Sequence, residues 1–198
     1  YVGGYEVWQK AIYPDIAYRN LQGKGWAVHA FPKVRDMTAR GIAAADYDGD
    51  GDTDIYVSNY RLFPNRLWRN DGKGTFAEVA AATKTSGDGG LGAWGHTIGS
   101  SWGDLDNDGH LDLFVGNFSH PPAYQDRAKF LRNRGPAGKF AFEDKSSGAG
   151  LHWQESYASP TLGDYDNDGH LDLFFTTVYA GNTSVLYKNS GNWKFKNT

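Results

Sequence analysis

Asp46-Tyr-Asp-Gly-Asp-Gly-Asp-Thr-Asp54 returns as Asp104-Leu-Asp-Asn-Asp-Gly-His-Leu-Asp112 and again as Asp164-Tyr-Asp-Asn-Asp-Gly-His-Leu-Asp172, at spacings of 58 and 60 residues. An apolar stretch follows each run: Ile55-Tyr-Val57, Leu113-Phe-Val115 and Leu173-Phe-Phe175. Next comes a segment ending in a basic residue and Asn: Leu67-Trp-Arg-Asn70, Phe130-Leu-Arg-Asn133 and Leu186-Tyr-Lys-Asn189. A Gly-rich turn then leads to Thr75-Phe76, Phe140-Ala-Phe142 or Lys194-Phe195, and another strand, such as Gly41-Ile-Ala-Ala-Ala45, precedes the acidic run. Four short strands (A to D) per repeat, with turn chemistry between them, predict an all-β chain built from four-stranded antiparallel propeller blades. A β-sandwich with coincidental acidic turns would not repeat the run in register three times. No helical period is evident, and the Ala-rich patch at 80–84 is too short to read as a helix.

The start of the chain carries a further partial copy. Tyr1-Val-Gly-Gly-Tyr5 matches Tyr56-Val-Ser-Asn-Tyr60, and Tyr18-Arg-Asn20 matches the basic-Asn endings. Residue 1 therefore falls in strand B of a blade without its strand A or acidic loop. The predicted division is a partial blade at 1–34 and whole blades at 35–83, 84–147 and 148–198. Such a section is expected to belong to the rest of a larger propeller chain.

Composition agrees. The 198 residues fit one domain, and 39% hydrophobic content without an apolar run of about 18 predicts no transmembrane segment. Aromatics at 15% exclude a disordered chain, and 26 glycines suit many tight turns. A net charge of −3 with no basic run gives no nucleic-acid footprint. The absence of Cys excludes disulfides and thiolate metal sites. The chain opens on Tyr1 with no targeting stretch, which reads as a mature chain or a fragment.

The acidic runs place carboxylates at positions 1, 3, 5 and 9, with a main-chain carbonyl available at position 7. Hard oxygen donors in that number suit Ca²⁺. Gly at position 6 permits a sharp turn, and Gly49, Asn107 and Asn167 at position 4 suit left-handed backbone. An EF-hand is excluded because position 12 is Val57, Val115 or Phe175 instead of a bidentate Glu. Thirteen of the 23 acidic residues crowd into these loops, and three Ca²⁺ would move the formal net charge from −3 to +3. The expected metal residues are Asp46, Asp48, Asp50, Asp52 and Asp54; Asp104, Asp106, Asp108, His110 and Asp112; and Asp164, Asp166, Asp168, His170 and Asp172. Asp52, His110 and His170 enter through the main chain alone. The ions are expected to be structural. Extracellular modules of this kind bind calcium at roughly 10⁻⁴–10⁻³ M, which predicts a secreted, periplasmic or cell-surface setting.

The pattern resembles FG-GAP/VCBS repeats, the calcium-binding blades of integrin α-chain propellers. The stretch Asn65 to Phe76 is also similar to the ASPIC/UnbV, cartilage-acidic-protein-like group. The resemblance implies a seven-bladed parent ring, an extracytoplasmic setting, and Ca²⁺ in the A–B loops.

The antiparallel order puts A–B and C–D turns on one face, and B–C and D–A connections on the other. Long loops on a rigid scaffold commonly carry binding. Those connections hold Trp94, His96, His120, Tyr124, His152, Trp153, Glu155 and Tyr157 as candidate ligand-binding residues. Two readings stand. One is a binding or scaffold module for a glycan or protein ligand. The other is a carbohydrate-active lyase or dehydratase, with a His/Tyr/Glu set at the channel mouth.

Overall fold

Each acidic run closes a hairpin between the first two strands of a four-stranded sheet. The computed structural model describes residues 1–4, 6–7, 11–88, 94–118, 126–152 and 157–198, with only the backbone at Tyr157. In the N-terminal unit, β1 (Glu6–Val7) pairs with β2 (Ala11–Ile12), and β3 (Ala17–Asn20) with β4 (Trp26–His29). Blade 2 holds β5 (Ala39–Ala45), β6 (Asp54–Asn59), β7 (Arg66–Asn70) and β8 (Phe76–Glu78). Blade 3 holds β9 (His96–Gly103), β10 (Asp112–Phe118), β11 (Lys129–Asn133) and β12 (Phe142–Asp144). Blade 4 holds β13 (Tyr157–Gly163), β14 (Asp172–Thr177), β15 (Val185–Asn189) and β16 (Phe195–Asn197). Strands follow chain order in each complete sheet, every pair is antiparallel, and Ile55↔Trp68, Leu113↔Leu131 and Leu173↔Tyr187 show one shared register. The chain is thus an all-β propeller section of four-stranded antiparallel blades.

Alternation along the second strands explains their unbroken apolar runs. Leu113 and Val115 pack toward blade 2 with Tyr47, Tyr56, Leu67 and Phe142. Phe114, pointing the other way, packs toward blade 4 with Leu173, Phe175 and Phe195. A sheet sandwiched between two blades needs apolar residues on both faces. The third core joins Val57 and Trp68 to Tyr1 and Phe31. The first strands β5, β9 and β13 stand side by side. Close approach of neighbouring blades requires glycine: a Cβ on Gly41 of β5 would overlap the Ile98 carbonyl of β9, and one on Gly116 of the second strand β10 the Ala158 carbonyl of β13.

Three local features differ from the sequence reading. Among the described residues, strand B of the N-terminal unit is reduced to a single bridge, Val2↔Ile16. Gly4 stands where blades 2 and 3 have Asn59 and Asn117, and glycine in a strand weakens it through backbone entropy. The B–C connection of the N-terminal unit, read as a loop, carries the antiparallel pair β1–β2. The Ala-rich patch forms one helical turn, α1 (Ala80–Thr83), closed by Lys84 at φ 63°; Ala80 is buried against blade 3, so packing stabilises a turn too short to stand alone.

Candidate metal centres

Within each loop the first carboxylate curls the chain by accepting backbone hydrogens. Asp46 accepts from the amides of Asp50 (3.0 Å) and Gly51 (2.9 Å), and Asp50 accepts from Asp52 (3.0 Å). Asp104 accepts from Asp108 and Gly109, and Asp164 from Asp168 and Gly169, within 0.1 Å of the same distances. Position 6 takes φ of 92°, 86° and 88° at Gly51, Gly109 and Gly169, and position 4 takes 69°, 57° and 59° at Gly49, Asn107 and Asn167. The left-handed steps expected at positions 4 and 6 are therefore present.

The curl draws carboxylates together. One oxygen each from Asp46, Asp48 and Asp50 lies within 4.8 Å of the others, and likewise for Asp104, Asp106 and Asp108, and for Asp164, Asp166 and Asp172. The third set brings in position 9 and the first two position 5. Asp48 Oδ1 and Asp106 Oδ1 are buried without a hydrogen-bond partner. Clustered carboxylates, two of which keep a buried oxygen without a hydrogen-bond partner, fit a divalent cation with oxygen preference. At position 7, Asp52, His110 and His170 turn their side chains onto the C–D turn glycines Gly72, Gly135 and Gly191 of their own blades. That placement also confirms that the A–B and C–D turns share a face.

Position 9 does more than face a metal. Asp54, Asp112 and Asp172 are fully buried, and each spans two backbone amides, one from position 2 and one from the Asn ending the third strand. Burial pushes the Asp54 carboxyl up to about 6 and that of Asp112 up to about 7, although the Asn70 and Asn133 amides oppose the rise. The strand-ending Asn then reaches across the blade junction. Asn133 Nδ2 donates to Tyr47 O (2.8 Å) in blade 2 and to Leu111 O (3.1 Å) at home; Asn189 Nδ2 donates to Leu105 O and Leu171 O, both at 3.1 Å.

The basic residue before that Asn meets the loop. Arg69 Nε lies 2.6 Å from Asp48 and its Nη2 3.2 Å from Asp50. Arg132 spans Asp106 (2.7 Å) and Asp108 (2.8 Å), and Lys188 spans Asp166 and Asp168. Sequence reading noted the recurring basic-Asn pair without assigning it a role. Its spacing from the acidic run, equal in strand register but not in residue count, hid the partnership.

On the opposite face, His96 packs on Tyr60 with ring centroids 4.6 Å apart and edge-on to Phe118 at 6.2 Å. Arg40 and Arg61 lie over the Tyr60 ring at 5.2 and 5.6 Å. Phe118 in turn meets Tyr179. Trp94 is exposed, and exposed His152 donates its backbone N–H to Tyr187 Oη (3.3 Å). His120, Tyr124, Trp153 and Glu155 lie outside the described residues, as does the side chain of Tyr157.

Comparison with known families matches residues 58–115 and 104–175 to the FG-GAP-like repeat, and 38–75 to the FG-GAP repeat. Cartilage acidic protein 1 of Xenopus tropicalis is 27% identical over 149 residues, covering 72% of this chain and 20% of that protein. The proteins of the same name from Mus musculus and Homo sapiens are each 28% identical, over 152 and 150 residues, covering 74% of this chain and 21% and 20% of theirs. The chain spans about a fifth of the length of these relatives.

Proposed function

This chain belongs to the FG-GAP-like repeat family, and on that premise we propose that it is a calcium-stabilised, extracellular propeller section that binds a protein or glycan ligand. The observation that carries the calcium reading is the threefold convergence of loop carboxylates, with Asp48 Oδ1 and Asp106 Oδ1 buried and unpartnered. The residues holding the ions are the carboxylates at positions 1, 3, 5 and 9, with the carbonyls of Asp52, His110 and His170. Flexible oxygen-rich loops favour Ca²⁺ over Mg²⁺, which demands a tighter octahedron. A bound ion fixes the A–B turn and relieves carboxylate repulsion.

The ligand surface we assign is the face opposite the loops, where Tyr60, His96 and exposed Tyr179 are joined through the buried ring of Phe118, Arg40 and Arg61 lie over Tyr60, and Trp94 is exposed in the connection before His96. Aromatic faces and guanidinium groups suit sugar rings and protein side chains alike. The extracellular assignment is supported by the repeat family and its relatives; no helix among the described residues is long and apolar enough to cross a membrane.

The section also joins further blades in this reading, divided at 1–34, 35–83, 84–147 and 148–198. Exposed Trp26 (66%) holds the strand place that Phe142 and Phe195 bury at internal junctions. Tyr165 (50%) and Phe174 (42%) hold the places of buried Leu105 and Phe114.

Thermal unfolding tests the calcium reading. At 10 mM Ca²⁺ each occupied site adds about 1.5–2.7 kcal/mol, for affinities between roughly 10⁻³ and 10⁻⁴ M. Three sites should raise Tm by roughly 10 °C or more over EDTA, with Mg²⁺ doing less; an unchanged Tm refutes the reading. For the ligand, retention on immobilised glycans or candidate proteins should fall in Tyr60→Ala and Trp94→Ala. Sugar turnover that is lost in His152→Ala, with retention kept, refutes the binding module.

A further inference from the structure

Two side chains cross between acidic loops at the junction of blades 3 and 4. Asn107, at position 4 of the loop 104–112, donates Nδ2–H to Gly169 O (3.0 Å) and lies 3.4 Å from His170 Nδ1. It thereby holds the Gly169–His170 peptide, one peptide before the position-7 carbonyl of His170. In the other direction, Trp193, in the C–D turn of blade 4, donates Nε1–H to Asp106 Oδ2 (3.2 Å). Asp106 Oδ1 is the buried oxygen without a partner. The indole therefore occupies one oxygen of that carboxylate and leaves the other for a cation.

Trp193 is itself tied to its own blade's loop. The Asn189 amide donates to Asp172 Oδ1 (2.7 Å), and Asn189 Oδ1 accepts from Gly191 N (2.9 Å), two residues before the indole. Order in the loop 164–172 thus reaches Asp106 through one turn, and order in the loop 104–112 reaches His170 through Asn107.

The junction of blades 2 and 3 has the same backbone without these donors. Phe140 stands two residues before Phe142, as Trp193 stands before Phe195, with φ of 56° against 58°, and its ring carries no N–H. Gly49 takes the place of Asn107. The shared elements, such as the Asn133 and Asn189 clamps, therefore do not distinguish the two junctions; the indole and the Asn amide do.

We propose that cation occupancy of the loops 104–112 and 164–172 is coupled through Asn107 and Trp193, while the loop 46–54 fills independently. The proposal rests on the calcium reading above. An ion in either loop orders groups that the other site needs, so the second ion meets less disorder. Linkage makes the effect reciprocal, with each ion raising the other's affinity about tenfold, within the usual range of such couplings.

Calcium titration by calorimetry on the full 198-residue chain separates the cases. Asp50→Ala leaves the coupled pair, and its two ions should bind with a Hill coefficient above one. Asp168→Ala leaves the loops 46–54 and 104–112, which should titrate with a Hill coefficient no greater than one. In the Asp50→Ala background, Asn107→Gly and Trp193→Phe should each abolish the cooperativity. Asn107→Gly suits the left-handed backbone there, φ 57°, so it removes the amide without strain. Conversely, Gly49→Asn with Phe140→Trp in the Asp168→Ala background should install cooperativity, since nothing lies within 4 Å of a Cβ at Gly49. Calcium binding without cooperativity in Asp50→Ala, or cooperativity that survives both Asn107→Gly and Trp193→Phe, overturns the coupling alone. No binding heat in the wild-type chain overturns the calcium reading and the coupling with it.

Discussion

Replacing Asn133 by alanine tests how the blades are held together. The side chain is fully buried and makes three hydrogen bonds: Nδ2 to Tyr47 O and Leu111 O, and Oδ1 from Gly135 N (3.0 Å). Each such bond contributes about 1–1.5 kcal/mol net, and a buried group left unmatched costs about 1–3 kcal/mol, so the loss should be about 3–5 kcal/mol. For a chain of this size that lowers Tm by roughly 10 °C. Asn189→Ala removes the equivalent set and should match it. Asn70 makes the same turn, accepting from Gly72 N (3.1 Å) and donating to Thr53 O (3.2 Å), but its described bonds include none across a junction, and it is partly exposed. Asn70→Ala should therefore cost only about 1–2 kcal/mol. The bond to Tyr47 O also joins neighbouring units, and weakening a nearest-neighbour interface in a repeat array reduces cooperativity. Urea unfolding followed by both Trp fluorescence and far-UV circular dichroism should give non-coincident transitions in Asn133→Ala. If Asn70→Ala costs as much as Asn133→Ala, the turn and not the cross-blade bond carries the energy, and the reasoning fails.

Three further outcomes are expected. In 10 mM Ca²⁺, Asp108→Ala should lose about 2 kcal/mol by melting and about 1 kcal/mol in EDTA, because its exposed pairing with Arg132 and its exposed bond from the His110 amide are then removed; His110→Ala, which keeps its carbonyl, should change little in either buffer. The carboxyls of Asp54 and Asp112 sit above their unfolded values, so the stability they contribute is present below about pH 4 and lost as pH rises through about 6 to 7. The urea midpoint in EDTA should fall across that window, and saturating Ca²⁺ should remove or reverse the fall. Gly116→Ala forces a Cβ into the Ala158 carbonyl and should destabilise by about 2–4 kcal/mol, whereas Gly163→Ala, with open space around its Cβ, should stay within about 1 kcal/mol.

The fold was legible because the propeller imposes constraints at a range a sequence displays. Four strands, each bounded by turn residues, and one acidic run per unit recur at nearly constant spacing, and Leu113-Phe114-Val115 announces a strand buried on both faces. What escaped depends on contacts between distant segments. The turn at Ala80–Thr83 exists because Ala80 packs against blade 3, a neighbour that local propensity does not contain. The reduction of strand B at residues 1–4 to one bridge goes with Gly4, which stands where blades 2 and 3 carry Asn59 and Asn117.

The candidate site divides the same way. Its donors share one nine-residue window, and their backbone needs at positions 4 and 6 follow from residue type, so the loops could be read directly. The basic residues sit 21, 26 and 22 places after the position-3 carboxylates Asp48, Asp106 and Asp166, because the second-to-third connection varies in length. Constant strand register nevertheless brings Arg69, Arg132 and Lys188 to the same place, across positions 3 and 5. Their presence changes the electrostatic reading of thirteen clustered carboxylates. One fixed cation per loop offsets part of the repulsion before any ion arrives, so the loops can fold into the curled form first. A mobile divalent ion then meets a turn already made by Asp46, Asp104 or Asp164, and its binding free energy goes into tightening that turn and not into building it. Calcium removal should on this account loosen the loops and lower stability without unfolding the blades, because the cores at the junctions rest chiefly on strand residues such as Phe114, Phe130, Tyr56 and Trp68.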